Sequence, residues 1–298
     1  MLETKPHLAP QNRAPKNASG TEGADARATA IGSSARIAAA QHKHCEKAPQ
    51  EPRKRPVLIV LHQEHSIPGH VGLWLQREGY PLDIRRPRFG CPLPETLDEH
   101  AGAVIFGGPM SANDPDDYVK VETDWIGVAL EEKRPFLGIC LGAQMLANHL
   151  GGTVGFNPDK ICEIGHHQIE ATPAGRALCA WPRTVYQWHR EGFSLPRDCT
   201  LLAKADSVFP NQAFSYGPAA AAIQFHPEIT FEMVHRWSGS NPERLKLPGA
   251  KPRPSHLEGH IKHRPAVGRW LDTFMRLWLA GALQPQTATR QPAPIPAL

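Results

Sequence analysis

Pro135-Phe136-Leu137-Gly138-Ile139-Cys140-Leu141-Gly142-Ala143-Gln144 is the stretch on which the fold turns. Its first five residues form a short apolar run, the pattern of a strand buried on both faces. Leu141 to Leu150 then reads as a helix, stopped by Gly151-Gly152. Between the two, Gly138, Cys140 and Gly142 make a G-x-C-x-G. Small residues two before and two after a nucleophile let the chain turn sharply from strand to helix and lift the central side chain above the strand's carboxyl end. The free N–H groups and positive dipole end of the helix favour a thiolate there. The same residues also fit a buried cysteine between two glycines that only permit tight packing.

Working outward, the pattern repeats. Val57-Leu58-Ile59-Val60-Leu61 is a continuous β-branched run, and Gly69 to Gly79 has helical spacing with Val71, Trp74 and Leu75 on one side. Leu82 to Arg85 is a short strand. Ala103 to Phe106 is another buried strand, and it runs into Gly107-Gly108-Pro109. Asp116 to Glu132 reads as an amphipathic helix with Val121, Trp125, Val128 and Ala129 on its apolar face. From about residue 153 the chain becomes shorter strands and turns; Ala220 to Ile223 returns as a buried strand and Val267 to Leu279 is a Trp-rich helix. Strand alternating with helix at this spacing means βαβ units. The expected fold class is α/β: an open, mostly parallel twisted sheet with helices on both faces.

Three segments are expected: a disordered leader over 1–55, one folded domain over 56–282, and a flexible tail over 283–298. The leader has no Phe, Trp or Tyr, and too little apolar surface to offset its ordering entropy. It also holds the charge. Ten Lys/Arg face five acids there, whereas the remaining chain has 23 basic and 24 acidic residues, so the net +4 belongs to the leader. The folded part therefore has no electrostatic reason to bind nucleic acid. No apolar run approaches the roughly 20 residues of a membrane helix, and the N-terminus lacks a signal-peptide core. Six scattered cysteines are not a disulfide scaffold, and the expected location is the cytoplasm.

Two further motifs bear on chemistry. Gln224-Phe225-His226-Pro227-Glu228 follows the strand Ala220 to Ile223. A thiol nucleophile needs a histidine to take its proton, and the histidine needs an acceptor to fix its tautomer. His226 and Glu228, two apart on an extended segment, could supply both; alone, such a pair is also an ordinary solvated one. Gly107-Gly108-Pro109-Met110-Ser111 ends a strand, and its N–H groups, with that of Leu141, could meet an oxyanion. The plain alternative is a glycine-rich turn; no Gly-Lys-Ser/Thr follows, so it is not a phosphate loop. Cys162, His166, His167 and Cys179 fit no standard zinc spacing, so no metal site is expected.

Taken in order and spacing, Phe106 to Ser111, Gly138 to Gln144 and Gln224 to Glu228 resemble a class I (triad-type) glutamine amidotransferase domain over about residues 56–240. The likeness is to stand-alone members similar to the glutaminase half of GMP synthase, and Tyr186-Gln187-Trp188-His189 and Pro210 to Phe214 fit that subgroup. The resemblance implies the flavodoxin-like fold of that family. It implies Cys140 as nucleophile, His226 as general base and acid, and Glu228 as the orienting carboxylate. Gly108 and Leu141 would form the oxyanion hole, and Gln144, Gly107, Gly165 and His166 would contact substrate. The implied substrate is glutamine, hydrolysed through a γ-glutamyl thioester to glutamate and ammonia, with no cofactor. His189-Arg190-Glu191-Gly192 departs from the subgroup, which usually has Gly-Asp after the Trp-His pair, so no role carries over to that loop. Too few residues follow Ser240 for a synthetase domain, so an acceptor enzyme is expected as a separate subunit. A γ-glutamyl amide hydrolase of the same fold and a non-catalytic binding domain are the alternatives.

Overall fold

Alternation along the strands decides the architecture. In the computed structural model, which describes residues 53–284, Val57, Ile59 and Leu61 enter one apolar cluster while Leu58 and Val60 enter another. Successive side chains of a strand point to opposite faces. A strand apolar at every position therefore needs a partner layer on each side, and the helices supply it.

The first strand, β1 (Val57–Val60), pairs in parallel with β2 (Leu82–Arg85) and with β3 (Gly102–Ile105); α1 (Gly69–Arg77) connects β1 to β2. Next come α2 (Asp117–Glu131), β4 (Phe136–Ile139) and α3 (Leu141–His149). The middle of the chain gives β5 (Val154–Phe156), β6 (Glu163–Gln168), β7 (Glu170–Ala171), α4 (Pro173–Leu178), β8 (Thr184–His189) and β9 (Glu191–Phe193). It continues through β10 (Cys199–Lys204), β11 (Asn211–Tyr216) and β12 (Ala220–Ile223) to α5 (Phe231–Ser240) and α6 (Arg253–Leu279).

The main sheet has eight strands in the order β2-β1-β3-β4-β12-β11-β10-β7. The run from β2 to β12 is parallel; β11, β10 and β7 extend it antiparallel. The sheet is thus α/β and mixed, with its parallel part where the sequence places it. Two antiparallel pairs, β5 with β9 and β6 with β8, stand outside it. On one face, α1 contributes Val71, Trp74 and Leu75, and α6 contributes Trp270, Leu271, Phe274 and Trp278. On the other, α2 contributes Val119, Trp125 and Ile126, and α3 contributes Ala143, Met145 and Leu146. Each such aliphatic side chain stabilises the fold by about 1.5–3 kcal/mol relative to exposure.

Three local expectations need correction. Val121 is 54% exposed; the buried stripe of α2 is Val119, Glu122, Trp125, Ile126 and Ala129. A glutamate at the centre of that stripe shifts the apparent apolar face by one residue. The last helix starts at Arg253, not Val267. Its earlier half buries His256 and His260 at the positions where the later half buries Val267, Trp270, Leu271, Phe274 and Trp278. Histidine in place of aliphatic residues, with Pro265 inside the helix, hides that half from an apolar-periodicity reading. Leu283 is fully buried, its N–H bonded to the Pro218 carbonyl, so the folded body extends past 282. The rest of the expected tail beyond 284, and the expected leader before 53, lie outside the described residues.

Candidate active site

Cys140 follows the last residue of β4, a central parallel strand, and its backbone N–H still bonds to Ile223 of β12. Its φ of +52° and ψ of −102° lie where a residue with a side chain is strained. Space enforces the flanking glycines. A Cβ at Gly138 would stand 2.3 Å from the Gly142 carbonyl oxygen, and one at Gly142 would stand 2.1 Å from the Ile105 carbonyl oxygen. Tight packing and a strained central cysteine therefore coexist.

His226 lies three residues beyond β12, so its position next to β4 follows from the pairing of those strands. Its Nδ1 is 2.7 Å from Glu228 Oε1, and both side chains are almost wholly buried. The edge of the ring meets Trp237, and the His226 backbone N–H bonds to the Tyr186 carbonyl. Burial alone would push the imidazole down. The carboxylate of Glu228 and then the adjacent Cys140 outweigh burial, and His226 is held above its ordinary value. Nδ1 therefore carries the hydrogen directed at Glu228, and Nε2 is the free nitrogen, without an acceptor among the described residues. Both Cys140 Cβ (3.4 Å) and His226 Cε1 (2.9 Å) lie against the point where a Cβ at Gly107 would sit. Thiol and imidazole thus share one wall at the carboxyl ends of the strands, where open α/β sheets place their ligands.

Two cavities meet at Cys140. One of about 540 Å³ takes in Gly107, Gly108, Cys140, His226 and Glu228. The other, of about 460 Å³, takes in Gly108, Cys140, Leu141 and Gln144. Leu141 is the first residue of α3, so its N–H has no intrahelical acceptor. Gln144 faces the second cavity with its amide already engaged, donating to the Glu191 carbonyl at 2.9 Å and to Gln224 Oε1 at 3.3 Å. Glu191, the first residue of β9 and part of the stretch that departs from the subgroup pattern, lines the same cavity.

Gly165 and His166 are placed elsewhere. Gly165 backs onto Lys251, and the His166 ring packs against Tyr186 and His263, under α6. Neither lines the cavities at Cys140. His166 of β6 pairs across to Tyr186 of β8, and the face they share looks toward the last helix, a direction that spacing alone does not reveal. Cys162 is buried among the same elements, and burial pushes its thiol up. Among the described residues, no three His, Cys, Asp or Glu side chains are gathered as metal ligands.

Sequence reasoning missed two features. Arg244, in the loop after α5, faces both cavities, and burial, then the like charge of Arg190, hold it below its ordinary value. Neighbouring Glu243 pairs with Lys246 instead. No motif marks Arg244; only the return of the chain over the cleft does. His62, just past β1, and Glu122, on α2, form a wholly buried pair at 2.7 Å behind Gly107. A glutamate at a buried helix position was the available signal.

Comparison with known proteins identifies the family of the chain. The sequence model of the family described as glutamine amidotransferase class-I matches residues 76–235. The chain is 33% identical over 188 residues to a glutamine amidotransferase-like protein of Salmonella typhimurium, covering 60% of this chain and 77% of that one. It is 34% identical over 142 residues to a GMP synthase of Porphyromonas gingivalis, covering 46% of this chain and 26% of that enzyme. The chain thus spans about a quarter of that synthase. Among solved structures, a glutamine amidotransferase of Methylobacillus flagellatus superposes with a TM-score of 0.71 at 27% identity, covering 78% of this chain and 96% of that one. One from Thermotoga maritima gives 0.69 at 28% identity, covering 77% and 99%.

Proposed function

We propose, from the premise that the chain belongs to the class-I glutamine amidotransferase family, that it hydrolyses the side-chain amide of glutamine at Cys140. The observation that carries this is the buried His226–Glu228 contact of 2.7 Å beside a cysteine on a strained strand-to-helix turn. Glutamine enters the cleft with its α-carboxylate toward the cationic Arg244. The Cys140 thiol gives its proton to His226 Nε2 as its sulfur attacks the amide carbon, and the carbonyl oxygen becomes an oxyanion facing the N–H groups of Gly108 and Leu141. As the tetrahedral species collapses, the C–N bond breaks and His226 Nε2 gives its proton to the departing nitrogen, which leaves as ammonia. Water then attacks the γ-glutamyl thioester, His226 takes its proton, and glutamate leaves as the thiol is restored. Glu228 holds the imidazole tautomer through both halves. The ammonia goes to an acceptor bound by a partner synthase subunit.

The test is release of ammonia and glutamate from glutamine by the purified protein and by Cys140→Ala, with γ-glutamyl amines as competing substrates and a cell extract to supply partners. Equal amounts of both products, lost in Cys140→Ala, are expected. Faster turnover of γ-glutamyl amines would make the chain a γ-glutamyl amide hydrolase. Undiminished glutaminase activity in Cys140→Ala would remove the nucleophile and the proposal with it.

A further inference from the structure

The buried His62–Glu122 pair is not used by the chemistry above, yet it touches the loop that chemistry needs. Both side chains are wholly buried, and a buried histidine–carboxyl pair is costly to keep merely for stability. His62 has two contacts. Its Nε2 meets Glu122 Oε2 at 2.7 Å, and its Nδ1 lies 3.1 Å from the Gly107 carbonyl oxygen. A carbonyl only accepts, so Nδ1 carries the hydrogen and donates it to Gly107. The second oxygen of Glu122 has no partner among the described residues, so the carboxyl group is committed to His62 alone.

The consequence follows from peptide planarity. In a trans peptide the carbonyl of one residue and the N–H of the next point to opposite sides. Anchoring the Gly107 oxygen on His62 therefore turns the Gly108 N–H away from His62. That N–H has no acceptor among the described residues, and Gly108 borders both cavities at Cys140. The loop is also wedged from the sides: a Cβ at Gly108 would stand 2.9 Å from Leu141 Cδ2 and 3.1 Å from His62 Cβ. We infer that His62 and Glu122 are positioning residues for the oxyanion hole: Glu122 fixes the His62 ring, and His62 fixes the Gly107–Gly108 peptide with its N–H toward the reacting carbonyl. This rests on the proposed role of Gly108 as an oxyanion donor.

The experiment compares wild type, Glu122→Gln, and the double variant His62→Leu/Glu122→Met, in which apolar side chains fill the space of the pair. Three quantities are measured: kcat and KM for glutamine, the rate at which iodoacetamide alkylates the Cys140 peptide, and the melting temperature. Alkylation displaces iodide and develops no carbonyl oxyanion, so it reports the thiol and His226 without the hole. Losing one oxyanion donor costs about 10²–10³-fold in kcat, and misdirecting rather than removing it should cost roughly 10–100-fold. The expected result is that fall in kcat for the double variant, with KM changed less than about threefold and Cys140 alkylation unchanged, and a smaller fall for Glu122→Gln, whose amide N–H can still meet His62 Nε2. The double variant should melt within a few degrees of wild type. Wild-type kcat in a folded double variant would overturn the inference, leaving the pair a packing element. A parallel fall in alkylation would overturn it too, because the damage would then reach the thiol itself. Failure of the underlying glutaminase reading looks different: wild type itself would release no ammonia dependent on Cys140.

Discussion

A methyl group at Gly69, outside the cleft, should cut activity through Glu228. Gly69 opens α1 with φ at +49°, and the N–H of His70 bonds to the Glu228 carbonyl at 2.7 Å. A Cβ at Gly69 would lie 2.0 Å from that carbonyl oxygen and 3.0 Å from its carbon. Both atoms are backbone, so no flexible side chain can yield, and Glu228 or α1 must move by on the order of 1 Å to restore an ordinary contact. Overpacking of this kind costs about 1–3 kcal/mol, and a left-handed backbone adds about 1–2 kcal/mol for alanine. At roughly 2–4 °C per kcal/mol, Gly69→Ala should melt roughly 4–20 °C below wild type. A 1 Å misplacement at a catalytic contact can cost about 10²-fold, so kcat should fall by about one to two orders of magnitude. Gly79→Ala is the control. Its φ is +82°, but nothing lies within 4 Å of the added carbon, so it should lose only the backbone contribution and keep its kcat. The assays are thermal unfolding by circular dichroism and ammonia release from glutamine. Wild-type kcat in Gly69→Ala would refute the coupling, as would an equal loss of activity in Gly79→Ala.

Glu228→Gln should lower kcat by about 10²–10⁴-fold while the protein stays folded, because it removes the group that holds the imidazole. His226 is raised in the folded protein, so its pairing stabilises fully below the unfolded histidine pKa of about 6.5 and less as pH rises through the folded value. The substitution should therefore cost more stability at pH 6 than at pH 10, and equal losses in urea unfolding at the two pH values would contradict this. Burial acts the opposite way on His70, pushed down to about 4, and on His166, pushed down to about 3; His256 and His260 are lowered by burial too. Below about pH 6.5 the unfolded chain takes up more protons than the folded one, so stability should fall as pH drops toward 4. The urea midpoint should shift less between pH 7 and pH 5 in His166→Gln; an unchanged shift would clear that ring of the effect. Leu283→Ala should cost about 2–5 kcal/mol, because it empties a wholly buried site beside the Pro218 turn, and a melting point equal to wild type would contradict that packing.

What could be read from the residues alone divides along a physical line. β1, β3, β4 and β12 are apolar at nearly every position because helices cover both faces, and continuous apolar runs survive any error in phase. Gly138-x-Cys140-x-Gly142 and His226-x-Glu228 were equally legible, since each packs its geometry into five residues or fewer. Polar groups held inside the fold were not. Glu122 sits in the buried stripe of α2 beside Trp125 and Ile126, and its presence moved the inferred apolar face onto exposed Val121. His256 and His260 concealed fourteen residues of α6 in the same way, from Arg253 to Ala266. Glu122 and His256 are buried with a specific partner: His62 for Glu122, Tyr186 and the Lys251 carbonyl for His256. Those partners are 60, 70 and 5 residues away along the chain, and pattern reading in a window of a few turns cannot see the first two. A charged or imidazole side chain on an otherwise apolar helical stripe is therefore better treated as a buried group awaiting a partner than as the edge of the solvent face. Applied to α2, that rule brings Glu122 to the loop of Gly107 and Gly108, where the geometry around Cys140 is set.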